Sequence, residues 1–262
     1  MWTHFYLFHI QYLGFRFHGW QKQPGVKTLE SMLRKTTSFI LGHDDFRILG
    51  SSRTDARVSA NHAAFELFLK APLGMNERME AFNLNLPNDI RVLGIEPVDA
   101  SFNIIQSPRT KEYLYLFSFG DTCHPFCAPI LSSFPDQLNI EIMKEGAKLF
   151  EGTHNFRNYC TKPGPGTLFQ REIHASRIEN NTAFFASFFP EKSFLYRIRS
   201  RGFLRNQIRL MMGQLLCLGR GEIQLEDIRK SLMGDVSQPF KTIAPASGLM
   251  LNRIDFDHSV LK

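Results

Sequence analysis

Between Lys111 and Phe119 the chain places Tyr113, Tyr115, Phe117 and Phe119 at alternate positions, with Leu114, Leu116 and Ser118 between them. A period of two is the mark of a strand, and aromatic residues suit its pleated surface. Here both faces carry bulk, so neither face is suited to water. The segment is expected to be a central strand of a sheet, which requires further elements packed around it.

Those elements are legible on both sides. Phe5 to Tyr12 reads as a strand ending at Gly14, and Thr28 can cap a helix in which Leu29, Met32, Leu33, Phe39 and Ile40 recur at helical spacing. A polar segment from Gly50 to Asn61 precedes an expected strand, Ala63 to Lys70. Glu77 to Leu84 looks helical, Pro87-Asn88-Asp89 turns the chain, and Ile90 to Ile95 reads as another strand. Beyond Lys111 come a helix at Leu138 to Phe150, a loop at Lys162 to Gly166, a pair of strands at Thr182 to Phe189 and Phe194 to Arg201, and a helix from Phe203 to Leu218 ended by Gly219 and Gly221. Strand and helix recur in two halves, residues 1–110 and 111–262, so the fold class is α+β with extended sheets. At 262 residues and 43% hydrophobic content the chain builds its core without staples.

Composition bounds the function. Lys and Arg outnumber Asp and Glu by 31 to 25, for a net charge of +6. That excess favours a polyanionic partner, and it equally fits a solubilising surface. Cys123, Cys127, Cys160 and Cys217 have neither the CxxC spacing of a zinc site nor the density of a disulfide scaffold, so a reducing cytoplasm is expected. His18, His43, His62, His124 and His154 are scattered, and no metal is expected. Without a leader pattern or a long apolar run, a soluble, unprocessed protein is expected, away from membranes. GxGxxG, Walker, GxSxG and HExxH motifs are all missing, which removes the commonest nucleotide, phosphoryl, esterase and zincin readings.

Two clusters carry chemistry. Ser52-Arg53-Thr54-Asp55-Ala56-Arg57 sets a carboxylate between two guanidinium groups in a polar loop. Neighbouring cations favour the ionised carboxylate, which makes Asp55 a candidate nucleophile; an Asx-turn with surface ion pairs fits the same spacing. The second cluster is Arg197, Arg199, Arg201, Arg205 and Arg209. The first three alternate along a strand and the last two fall on one helical face, so all five are expected to converge at a strand-to-helix corner. Such a corner serves either as a phosphate-contacting surface or as a solvated charged edge. Phe17, Trp20, Tyr113 and Tyr115 interleave with these charges, and exposed aromatics beside Arg hold unstacked bases; with 25 Phe in the chain, most aromatics belong to the core.

Seven segments follow one another in a recognisable order. Phe17-His18-Gly19-Trp20-Gln21-Lys22-Gln23 resembles an FxGWQxQ motif and Arg53-Thr54-Asp55-Ala56 an RTDA core. Leu86-Pro87-Asn88-Asp89-Ile90 with Ser101-Phe102-Asn103 is similar to LPxDI and SFxA, and Lys111-Glu112-Tyr113-Leu114-Tyr115 to K/R-x-Y-x-Y. Phe150-Glu151-Gly152-Thr153-His154-Asn155-Phe156 resembles FxGxHDF, Gly202 to Arg209 with Met212-Gly213 resembles GFLRxMVRxxVG, and Ala244 to Leu249 resembles APAxGL. Together they resemble the TruA-type tRNA pseudouridine synthases across nearly the whole chain.

The resemblance implies a pseudouridine-synthase fold: two α+β halves with joined, mostly antiparallel sheets and a central basic cleft, in a cytoplasmic homodimer. It implies a cofactor-free isomerase acting on RNA, most of all on the anticodon arm of tRNA. Asp55 matches the catalytic aspartate, Tyr113 the tyrosine that stacks on the target base, and Arg209 the arginine paired with the aspartate. Arg53 matches a residue that holds the flipped-out nucleotide, and Arg57, Arg197, Arg199, Arg201 and Arg205 are expected to meet RNA. The chain departs from the family pattern at Arg57 and Ser59, where Gly and His are usual, at Ile104-Ile105 in place of Ala-Arg, at Asn155 in place of Asp and at Gln207 in place of Met. These departures put the RNA contacts in question more than the reaction. A synthase for a different RNA, or a non-catalytic RNA-binding or RNA-folding protein on the same scaffold, remains the competing expectation.

Overall fold

A computed structural model of the chain describes residues 1–74, 78–234 and 240–256. They divide into two units, one formed by Met1–Thr110 with the stretch from Leu251 on, the other by Lys111–Met250. The first unit holds β1 (His4–Tyr12), α1 (Leu29–Leu41), β2 (Arg47–Gly50), β3 (Ser59–Leu69), α2 (Arg78–Asn85) and β4 (Ile90–Pro97), together with most of the last strand, β10 (Leu249–Phe256). Its strands run in the order β4-β1-β3-β10, with β2 also on β3. The β1–β3, β1–β4 and β2–β3 pairs are antiparallel.

β1 is apolar on both faces because both are covered. On one face Phe8 stacks on its register partner Phe65 at 4.6 Å and meets Phe82 of α2 edge-on at 5.1 Å. On the other, Leu7 joins Ala64, Val98, Phe102, Ile104, Ile254 and Phe256 in one buried cluster. Glu66, the register partner of Leu7, is only 1% exposed in this apolar layer. Burial pushes its carboxyl up to about 7, against the lesser pull of the Ile104 backbone N–H and of Arg47. α1 starts as its sequence dictates: Thr28 Oγ1 accepts from Ser31 N while Ser31 Oγ accepts from Thr28 N, and Gly42 ends the helix at φ 75°.

The second unit holds most of β5 (Pro108–Phe119), with β6 (Ser132–Phe134), α3 (Ile140–Lys148), β7 (Gly152–Asn155), β8 (Gln170–Asn180), β9 (Phe194–Ser200), α4 (Gln207–Gly219) and α5 (Leu225–Ser231). β5-β9-β8-β7 is antiparallel throughout, and β6 adds to β5 in parallel, so β5 is an interior strand as its two bulky faces require. Each unit is thus a mostly antiparallel sheet with helices, the α+β class expected.

Several expected boundaries need correction. β3 begins at Ser59, four residues before the expected Ala63, and β2 is too short to show a pattern. α2 begins at Arg78; Glu77 lies outside the described residues. Thr182 to Phe189 is no strand: the partner of β9 is β8. The Asn181 side chain explains the break, since its Oδ1 accepts from Ala183 N and Phe184 N while its Nδ2 donates to Phe184 O and Ser193 Oγ. The freed aromatics Phe184, Phe188 and Phe189 pack instead on the buried Leu114, Leu116, Cys127, Leu131 and Leu195. α4 begins at Gln207, not Phe203, because Asn206 sits at φ 59° and the Gln207 side chain folds back to accept from Leu204 N at 2.8 Å. Arg205 therefore precedes the helix and does not share a helical face with Arg209.

Candidate active site

The Asp55 loop joins β2 to β3, and four contacts tie it and the start of β3 to the end of β1 and the segment that follows. Trp20 N donates to Thr54 O at 3.0 Å, Arg57 N to Phe17 O at 3.1 Å, and Gly14 N to Ser59 Oγ at 2.9 Å. The Tyr12 hydroxyl lies 3.0 Å from Thr54 Oγ1. The approach is too close for larger residues. A Cβ on Gly14 would stand 2.0 Å from Val58 O, and one on Gly50 would stand 2.3 Å from the Trp20 indole. Gly19, at φ 87°, would press a Cβ to 2.8 Å from Thr54 O. The loop closes on itself through Val58 N donating to Asp55 O at 3.2 Å. Asp55 is half-buried in this frame, and Arg53 is exposed beside it. Arg57 adopts φ 67°, with its guanidinium 5.7 Å from the ring centroid of Phe15.

The other expected residues lie in the second unit. Cross-strand partners share a face, so Tyr113 with Ile198 and Tyr115 with Tyr196 lie on one side of the sheet, while Glu112 with Arg199 and Leu114 with Arg197 lie on the other. Tyr113 is half-exposed, edge-on to Phe203 at 5.3 Å. Tyr115 is fully buried; its hydroxyl donates to Pro245 O at 2.9 Å and lies 3.0 Å from the Ser132 hydroxyl. Burial pushes its phenol far up, opposed by the Ser132 bond and by the charge of Arg209. Arg209 Nε donates to Ala244 O at 2.8 Å, and one of its terminal nitrogens donates to Asn206 Oδ1 at 3.2 Å. The Ala244-Pro245 segment thus bridges Arg209 to the Tyr115 side of the sheet.

The strand arginines stand elsewhere, which corrects the expectation of a single five-arginine corner. Arg197 binds Glu112 at 2.8 Å and Glu179 at 2.7 and 2.9 Å, with its side chain only 20% exposed. Arg199 is exposed, 3.8 Å from the other oxygen of Glu112. Arg201, beyond the end of β9, and Arg205, in the turn before α4, are both exposed. Of the aromatics considered as base-holding groups, Phe17, Trp20 and Tyr115 belong to the core, which leaves Tyr113.

Most departures from the family pattern turn inward. Ser59 accepts from Gly14 N, Ile104 is fully buried, and Gln207 caps Leu204 N. Asn155 Oδ1 accepts from Arg157 N at 3.0 Å, an acceptor role that an Asp in its place would also fill. Arg57 and Ile105 alone among these positions face outward.

Comparison with known proteins gives a consistent picture. The model of a family described as tRNA pseudouridine synthase matches residues 147–257. The chain is 30% identical over 250 residues to tRNA pseudouridine synthase A of Bacillus pumilus, covering 95% of this chain and 98% of the relative. It is 29% identical over 255 residues to the protein of the same name from Dictyoglomus thermophilum, covering 94% and 97%. A third, from Thermodesulfovibrio yellowstonii, is 28% identical over 249 residues, covering 94% and 96%.

Proposed function

The chain belongs to the tRNA pseudouridine synthase A family, and from that premise we propose that it isomerises uridine to pseudouridine in the anticodon arm of tRNA, with Asp55 as the catalytic carboxylate. In that reaction the N1–C1′ bond breaks, the uracil turns, and C5 joins C1′. C5 gives up a proton and N1 takes one, so the substrate is neither oxidised nor hydrolysed and the reading needs no cofactor.

The observation that carries this reading is the frame around Asp55. A carboxylate that attacks or stabilises a reacting sugar has to be held in place, and the residues before and after Asp55 are fixed by backbone contacts to Phe17 and Trp20. Pure RNA binding has no use for a half-buried carboxylate facing a polyanion. Tyr113 is assigned to stacking on the flipped-out base, because it is the half-exposed member of the tyrosine pair. Taking a base out of its stack costs a few kcal/mol, which aromatic and Arg contacts offset. Arg209 is assigned to supporting the carboxylate's charge, and Arg53, Arg57, Arg199, Arg201 and Arg205 to the RNA. Arg197, with its charge matched by two carboxylates, is better read as a strut. The working form is read as a cytoplasmic homodimer, as the family resemblance implies.

Mapping pseudouridines in unmodified tRNA transcripts after incubation with the purified protein tests the proposal. New pseudouridine in the anticodon arm is the expected result. Tight binding of the transcripts with no pseudouridine at any position favours the non-catalytic reading instead.

A further inference from the structure

Beside the Asp55 loop, Leu13, Phe15, Arg16, Asn88 and Asp89 line an open cleft of about 530 Å³. Its two banks come from separate segments held together by the backbone bond from Leu13 N to Asp89 O at 2.9 Å and by the Arg16–Asp89 ion pair at 2.6 Å. The volume falls within the usual range of small-ligand sites, about 300–1,000 Å³. Phe15 is an exposed aromatic at the rim, whereas Phe17, two residues on, is buried. The Arg57 guanidinium lies over the Phe15 ring, from a backbone conformation that L-residues rarely adopt. Arg16 is 64% exposed at the same rim.

The cleft offers a planar base an aromatic wall, and Arg57 beside it offers a cation to the attached phosphate, whereas the charge of Arg16 is matched by Asp89 in the same cleft. Arg57 is two residues from Asp55, which sets the cleft beside the loop that carries the proposed catalytic carboxylate. We propose that this cleft is a subsite for a nucleotide flanking the target uridine, whose base stacks against Phe15 while Arg57 meets its phosphate. The inference rests on the proposed synthase activity and adds to it a determinant of substrate choice in Phe15 and Arg57. Stacking tolerates every base, so the subsite fixes the register of the strand and not its sequence.

The test uses the full-length protein and tRNA transcripts in which nucleotides flanking the converted uridine are replaced singly by abasic ribose. For the unaltered protein, one such position should raise KM by roughly tenfold with kcat little changed, the size expected when one base no longer stacks. Phe15→Ala should show the same loss on intact tRNA and no further loss on that abasic transcript, while Phe15→Trp retains the low KM. Additive losses, or no sensitivity to any flanking base, overturn the subsite while leaving the reaction standing. Failure of the unaltered protein to form pseudouridine in any transcript overturns the reaction and the subsite with it.

Discussion

Arg57 occupies left-handed backbone, at φ 67°, which costs an L-residue roughly 1–2 kcal/mol, and its return within the protein is a ring contact to Phe15 at an exposed site, worth about 0.5–1 kcal/mol. Replacement by Gly removes the strain and the ring contact together, so Arg57→Gly is expected to leave thermal stability unchanged or raised by up to about 1 kcal/mol, while weakening tRNA binding. A clear loss of stability in a melting experiment would contradict this account of the loop. Glu66 poses a different balance. Its carboxyl, raised from the ordinary range to about 7 by burial, binds its proton more tightly in the folded chain than in the unfolded one. Its contribution is therefore complete below the ordinary carboxylate range and is lost as pH rises through about 7. Urea midpoints should show Glu66→Gln gaining on the unaltered protein between about pH 5 and pH 8. Parallel pH profiles for the two proteins would count against a buried, proton-holding Glu66.

At the scale of elements, the alternation of Arg197 and Arg199 is visible in the sequence, but the carboxylates facing them are not. Glu112 and Glu179 come from β5 and β8, and only strand register brings them opposite β9. Arg197→Ala leaves two partly buried carboxylates without their shared cation, so a stability loss of about 1–3 kcal/mol is expected, with the salt dependence of RNA binding unchanged. Arg199→Ala and Arg205→Ala should do the opposite, lowering the log-log salt slope by about 0.7–0.9 for each phosphate that is no longer neutralised. Identical behaviour of Arg197→Ala and Arg199→Ala would remove the distinction. β1 and α1 are legible because local chemistry decides them: two-sided apolar alternation in one, a Thr28 cap and terminal Gly42 in the other. β8 is not, because Gln170–Asn180 shows few apolar residues, while the Phe-rich run after Asn181 imitates a strand and packs as a loop.

Over the whole molecule, the order of the motifs carries more than any single pattern, since what each motif does depends on contacts distant in sequence. Gly14, Gly19 and Trp20 acquire their meaning from the loop some 35 to 45 residues later that they hold, as Gly50 does from the Trp20 ring against it. Under the proposed function, that loop holds the carboxylate that does the chemistry. The most direct measurement is therefore single-turnover pseudouridine formation by Asp55→Asn and by the unaltered protein on the same tRNA, with binding and thermal unfolding followed in parallel. The expected result is a folded variant that binds tRNA within about twofold of the unaltered protein and forms no pseudouridine, because a neutral amide cannot supply the anionic group. Pseudouridine formation by the variant at a rate near that of the unaltered protein would contradict the assignment of Asp55.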